Sequence, residues 1–154
     1  MTVYRYFAYG SNVLAARLAA RVVVDGDLGA AALTGWSLSF HKLGRDGSGK
    51  CTIVFTDHVD DRVYGAIYEL GAHAKARLDE IEGVGHGYAI HTRELPPFGP
   101  VYFYCAEERY VDASLRPYQW YVDLVLEGGR QRGFSATYLQ AIAAQPAWPN
   151  PPRR

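Results

Sequence analysis

The chain has 154 residues, and its 16 Lys and Arg balance 16 Asp and Glu. That length fits one domain, and a chain of this size buries roughly 70% of its unfolded surface, enough for a core without disulfides or a structural metal. With 49% hydrophobic and 21% charged residues, the composition excludes disorder, and a zero net charge speaks against a nucleic-acid partner, whose binding face is basic. No apolar run approaches the roughly 18 residues of a membrane span, and the start, MTVYRYFAYGSN, lacks the apolar region of a signal peptide. The two cysteines, Cys51 and Cys105, form no metal-type spacing. The expected setting is therefore cytoplasmic, with both thiols reduced in the core. Twelve tyrosines combine apolar area with hydroxyls, and several are expected to line a small-molecule pocket.

In chain order, Val3–Ala8 reads as the first strand. The loop Tyr9-Gly10-Ser11-Asn12 follows, with Gly10 expected in a left-handed turn and Ser11 or Asn12 expected to cap a helix over Val13–Ala20. Val22–Val24 and Leu33–His41 read as strands, Asp46–Gly49 as a turn, and Cys51–Phe55 and Arg62–Leu70 as further strands. The run VYGAIY at 63–68 lacks strict alternation, which predicts a strand covered on both faces. A helix is expected over Ala72–Glu82, stopped by Gly83 as a left-handed cap. Tyr88–Leu95 and Pro100–Cys105 are expected to pair as a hairpin.

Pro117–Glu127 predicts a mostly buried helix with Gln119, Asp123 and Glu127 as its polar stripe, ended by Gly128-Gly129. The last helix runs Ser135–Ala144, with Ser135 as N-cap and Phe134 and Leu139 as a hydrophobic staple. The domain is expected over residues 1–145. The tail Pro146–Arg154, with four prolines, is expected to run extended over the surface. Clustered strands with few βαβ units favour an α+β fold, and six to seven short strands flanked by helices predict a small mixed β-barrel.

The histidines form no metal motif and no glycine run has phosphate-loop spacing, so neither a metal nor a cofactor is expected. No serine has a local histidine partner in a nucleophile motif. Two segments carry chemistry. Tyr9–Asn12 joins a strand to a helix, where backbone N–H groups can receive a carboxylate or an oxyanion. The same segment also reads as an ordinary strand–turn–helix junction. The second segment is Asp79-Glu80-Ile81-Glu82-Gly83. A carboxyl at a helix C-terminus, beside other acids, is expected to have a raised pKa suited to proton transfer near neutrality. Its alternative is a solvated acidic face.

Together, YFAYGSN at Tyr6–Asn12, VYGAIYEL at Val63–Leu70, LDEIEGVGHGY at Leu78–Tyr88 and RPYQWYVDLVLEGG at 116–129 resemble the gamma-glutamylcyclotransferase family. The likeness spans about residues 4–142. The form FAYGSN is nearer to the general and gamma-glutamylamine branches than to the glutathione-specific one. The resemblance implies a small mixed β-barrel with flanking helices and a cofactor-free reaction. In that reaction the substrate's α-amine attacks its own γ-carbonyl, giving 5-oxoproline and releasing an amine. It places the catalytic glutamate at Glu82 and glutamyl-group contacts at Tyr9, Gly10, Ser11, Asn12, Val13, Leu14 and Tyr121. It assigns no role to Tyr88 and leaves the leaving amine and the oligomeric state open. A non-catalytic module binding a small amino-acid-like ligand is the alternative from another class, and a gamma-glutamyl amide hydrolase or transferase is a third. Retention of an acid at Glu82 favours catalysis, because a binder has no need of it.

Overall fold

The computed structural model describes residues 2–152. Seven strands and four helices follow in the order β1 (Val3–Ala8), α1 (Ala15–Ala19), β2 (Gly26–Thr34), β3 (Trp36–Leu43), β4 (Gly49–Phe55), β5 (Arg62–Gly71), α2 (Ala72–Glu82), β6 (Tyr88–Glu94), β7 (Pro100–Ala106), α3 (Gln119–Gln131) and α4 (Ala136–Ala143). Five strands form one sheet in the order β2-β5-β1-β7-β6, and β3 pairs with β4 in a separate two-stranded sheet. The α+β class agrees with the sequence. The strands form two sheets with no closed barrel among the described residues, and the chain leaves the five-stranded sheet at Gly35. Its φ of +86° suits glycine, and its carbonyl accepts from Thr56 N–H and Asp57 N–H. The expected strand Leu33–His41 is thereby split between β2 and β3.

Central β1 runs antiparallel to β5 and parallel to β7. Its alternate side chains enter two cores. Phe7, with Ile67, Phe103 and Val125, packs on the face covered by α3 and the β3–β4 sheet. Tyr6 and Ala8, with Tyr68, Tyr104 and Leu78, pack on the face covered by α1 and α2. β5 contributes to both cores, as its unalternating sequence predicts.

The α2 boundaries and the left-handed Gly83 cap, φ +77°, are as expected. Ser135 caps α4 by accepting from Tyr138 N–H. Three expectations fail for local reasons. Val22–Val24 is irregular, and the edge strand is instead the Ala- and Gly-rich β2. Helix α1 is shorter than expected, preceded by a 3-10 turn over Ser11–Val13, and neither element has a side-chain cap. Gly128 and Gly129 lie inside α3 rather than ending it. A Cβ at Gly128 would come within 2.7 Å of Leu14 N, and one at Gly129 within 2.6 Å of Leu139 Cδ2. These glycines let the loop after β1 and helix α4 approach α3 closely.

The proline-rich tail is extended and fastened to the start of α3. Trp148 O accepts from Gln119 N–H at 3.0 Å, and Trp148 N–H donates to Pro117 O at 2.8 Å. Asn150 Oδ1 accepts from Trp120 N–H at 2.8 Å. The tail's last two residues, Arg153 and Arg154, lie outside the described residues.

Candidate active site

A cavity of about 350 Å³ opens where the loop after β1, the end of α2, the β3–β4 turn and the start of α3 converge. Its size is at the low end for ligand pockets, about 300–1,000 Å³, and suits a molecule of dipeptide dimensions. Glu82, the last residue of α2, enters it because the left-handed Gly83 stops the helix there. Its side chain is 18% exposed. Its Oε1 accepts from Asn12 Nδ2 at 3.1 Å and pairs with Arg21 Nη1 at 3.4 Å. Burial raises the Glu82 pKa above the usual carboxyl value, against the lowering effects of Arg21, Asn12, Lys42 and Arg17.

The acidic neighbours act elsewhere. Asp79 binds Lys75 Nζ at 2.9 Å and accepts from Tyr104 OH at 2.6 Å, while exposed Glu80 pairs with Arg77 at 3.3 Å. The raised pKa expected of Glu82 is therefore present, and its cause is desolvation rather than crowding by carboxylates.

Asn12 spends both Nδ2 protons, on Glu82 and on Tyr6 OH at 3.1 Å. Its Oδ1 is buried without a partner. This orientation is chemically set, since an amide oxygen turned toward an ionised Glu82 would place two acceptors together. The loop is held from beneath by Tyr68 OH, which donates toward Asn12 O and Val13 O, both at 2.9 Å. Arg132 in turn donates to Tyr68 OH at 2.9 Å and binds Asp27 through two bonds of 2.7 and 2.8 Å.

Of the residues the sequence singles out, Tyr9, Gly10, Ser11, Asn12, Tyr121 and Glu82 line the cavity together. Val13 and Leu14 do not. Both are buried, Val13 beneath the loop and Leu14 against Gly128. Gly10 has φ −106°, so the left-handed turn expected there is absent. Glycine is needed at position 10 for space, because a Cβ would lie 3.0 Å from Cys51 Cβ and 3.4 Å from Tyr121 OH. Tyr121 OH accepts from Cys51 N–H at 3.1 Å, so it braces β4 as well as facing the cavity. Tyr9 OH donates to Tyr104 O. Tyr88, without a role in the sequence reading, lines the cavity and donates to Cys51 O at 2.6 Å. Both cysteines are free and buried, and burial pushes the Cys51 thiol up to about 12, which leaves it protonated and unreactive.

Sequence reasoning missed the cations. Arg17, Arg21, Lys42, Arg45 and Lys50 all line the cavity. Arg17 and Arg21 carried a readable signal, four residues apart just after the loop. The three on the β3–β4 hairpin carried none, since only the fold brings them to Glu82. Among the described residues no group of His, Cys, Asp and Glu is arranged to hold a metal ion. No helix among them is long and apolar enough to cross a membrane.

No family model matches the chain, and no curated protein matches its sequence. Solved structures do match. A gamma-glutamyl cyclotransferase superposes over 96% of this chain and 90% of its own, with TM-score 0.80 and 23% identity. An uncharacterized protein from Homo sapiens covers 99% and 94% at TM-score 0.83 and 22% identity. A glutathione-specific gamma-glutamyl cyclotransferase from yeast covers 92% and 94% at TM-score 0.65 and 13% identity. The chain thus has the α+β fold of gamma-glutamyl cyclotransferases. Nearly all of it takes part in the likeness.

Proposed function

We propose that this protein is a gamma-glutamyl cyclotransferase, which converts a small γ-glutamyl amine or amino acid to 5-oxoproline and releases the amine. The observation that carries this reading is the partly desolvated Glu82 carboxylate, hydrogen-bonded to Asn12 inside a cavity otherwise rich in cations. The reaction is intramolecular, so the protein need only fold the substrate, manage protons and stabilise charge. Arg17, held by a 2.8 Å bond from its Nε to Ser11 Oγ, is the countercharge for the glutamyl α-carboxylate. The α-ammonium is received by Glu82, whose carboxylate stands in a wall that mostly donates.

Glu82 takes a proton from the ammonium, and the freed nitrogen lone pair forms the bond to the γ-carbon. The carbonyl π electrons move onto oxygen, where the Gly10–Asn12 backbone N–H groups receive the charge. Glu82 delivers that first proton to the leaving nitrogen. The oxyanion electrons return to re-form the carbonyl as the C–N bond breaks, its electron pair going to the amine. Glu82 then takes the ring nitrogen's second proton and passes it to the departing amine, which leaves as an ammonium. The carboxylate ends as it began, and no cofactor enters the balance.

The test is mass spectrometry of the products from a panel of γ-glutamyl compounds incubated with the purified protein. Release of 5-oxoproline is expected. Glutamate as the product identifies a hydrolase, and an unchanged substrate that still binds identifies a binding module.

A further inference from the structure

The cavity is far more positive than the protein around it. Its wall carries five cations, Arg17, Arg21, Lys42, Arg45 and Lys50, against two carboxylates, Asp46 and Glu82, while the whole chain is neutral. Both carboxylates are committed: Glu82 pairs with Arg21 at 3.4 Å, and Asp46 with Lys50 at 3.3 Å. Among the described residues, Arg17, Lys42 and Arg45 form no ion pair. Lys42 is the most telling of the three. It is 7% exposed, and its ammonium sits over the face of Tyr88, 4.5 Å from the ring centroid, where it feels the charge of Glu82 but forms no ion pair with it. A buried cation without an ion pair is costly. The fold even keeps room for this one, because a Cβ at Gly87 would lie 2.9 Å from Lys42 Nζ. Arg45 is exposed at the turn of the same hairpin. That turn is held by Asp46, whose Oδ1 accepts from Ser48 N–H at 3.0 Å and Ser48 Oγ at 2.6 Å.

A γ-glutamyl substrate brings one α-carboxylate, which answers Arg17, and one ammonium, which answers Glu82. Lys42 and Arg45 remain, both on the β3–β4 hairpin. We propose that this hairpin is a leaving-group subsite for an amine bearing two carboxylates, so that the preferred substrates are γ-glutamyl derivatives of acidic amino acids, with Lys42 and Arg45 selecting them. The proposal rests on the cyclotransferase reading for the orientation of the glutamyl end. A neutral amine leaves both cations unanswered, and a lysine ε-amine brings a further positive charge to them.

The experiment measures affinities by calorimetry for γ-glutamylglutamate, γ-glutamylalanine and γ-glutamylethylamide, in a Glu82→Gln background so that turnover does not disturb the heats. 5-Oxoproline release by the otherwise unaltered protein is followed in parallel. γ-Glutamylglutamate should bind about tenfold or more tighter than the ethylamide, as charge-assisted hydrogen bonds imply, with the alanine compound between them. Adding Lys42→Met, which keeps an apolar contact for Tyr88, should bring that ratio close to one, and Arg45→Met, an exposed change that spares the core, should lower it severalfold. Equal affinities for the three compounds in the Glu82→Gln protein, a preference retained in both added variants, or no binding by any of the three compounds overturns the proposal. Selective binding without 5-oxoproline sinks the cyclotransferase reading and leaves the subsite standing. Release of 5-oxoproline from all three with equal kcat/KM does the reverse.

Discussion

Glu82 combines a raised proton affinity with contact to the loop that receives the substrate. Replacing it by Gln keeps the shape but removes the proton acceptor, so kcat should fall by about 10²–10⁴-fold. The wild-type kcat/KM profile should show an acid limb above the free glutamate value of about 4.3, because burial makes Glu82 hold its proton to higher pH. That limb should vanish in Glu82→Gln. Activity of the variant within about threefold of wild type excludes the shuttle, and Glu80→Gln, altering an exposed carboxylate, is the matched control. Tyr121 behaves differently from what its sequence position suggests. Its hydroxyl faces the cavity and also satisfies Cys51 N–H. Tyr121→Phe should therefore raise KM and also cost about 1–3 kcal/mol of stability through the unsatisfied buried amide. Steady-state kinetics and a denaturant melt on the same preparation separate the two effects.

The elements that were legible are those whose local signals and tertiary roles agree. β1 is a short apolar run ending at the loop, and α2 has its apolar face and its Gly83 stop in the sequence itself. β2 was missed because Gly and Ala are poor strand formers, and it is held by its ladder with β5 instead. The glycine pair of α3 was misread because Gly usually signals an end. Here it records contact with Leu14 and Leu139, which only the fold reveals. The same limit hid the hairpin cations, while Glu82 and the loop were readable because each sits at the boundary of an element. Gly128→Val should be severely destabilising, since no side chain fits 2.7 Å from the Leu14 nitrogen. Loss of two-state folding in a thermal melt is the expected sign, and a Tm near wild type refutes the close packing. The α3 N-terminus likewise lacks a local cap, because its cap is Asn150. Asn150→Ala should lower stability by about 1 kcal/mol, measurable by urea titration.

At the scale of the molecule, two carboxylates set opposing pH dependences. Asp27 lies below the usual range because Arg132 binds it. Its contribution is present above the unfolded pKa and is lost as pH falls through the lower folded value. Glu82 is raised, so the folded state keeps its proton more tightly than the unfolded chain does. Its effect is absent below the unfolded pKa and becomes a penalty as pH rises through the folded one. Glu82→Gln should accordingly melt higher than wild type near neutral pH, with the gap closing in acid. Asp27→Asn should melt lower near neutral pH, again converging in acid. An unchanged or lowered Tm for Glu82→Gln near neutrality would mean that Arg21 and Arg17 outweigh desolvation.

The tail fastened to α3 has a kinetic consequence. The amides of Gln119 and Trp120 are sealed by Trp148 and Asn150, so they need only the tail to lift, not the domain to unfold, before exchanging with solvent deuterium. Trp120 and Tyr121, in the first turn of that helix, form part of the cavity wall. Ligand occupancy that steadies this wall will slow exchange at these two amides, so the far end of the chain becomes a reporter of the cavity's state.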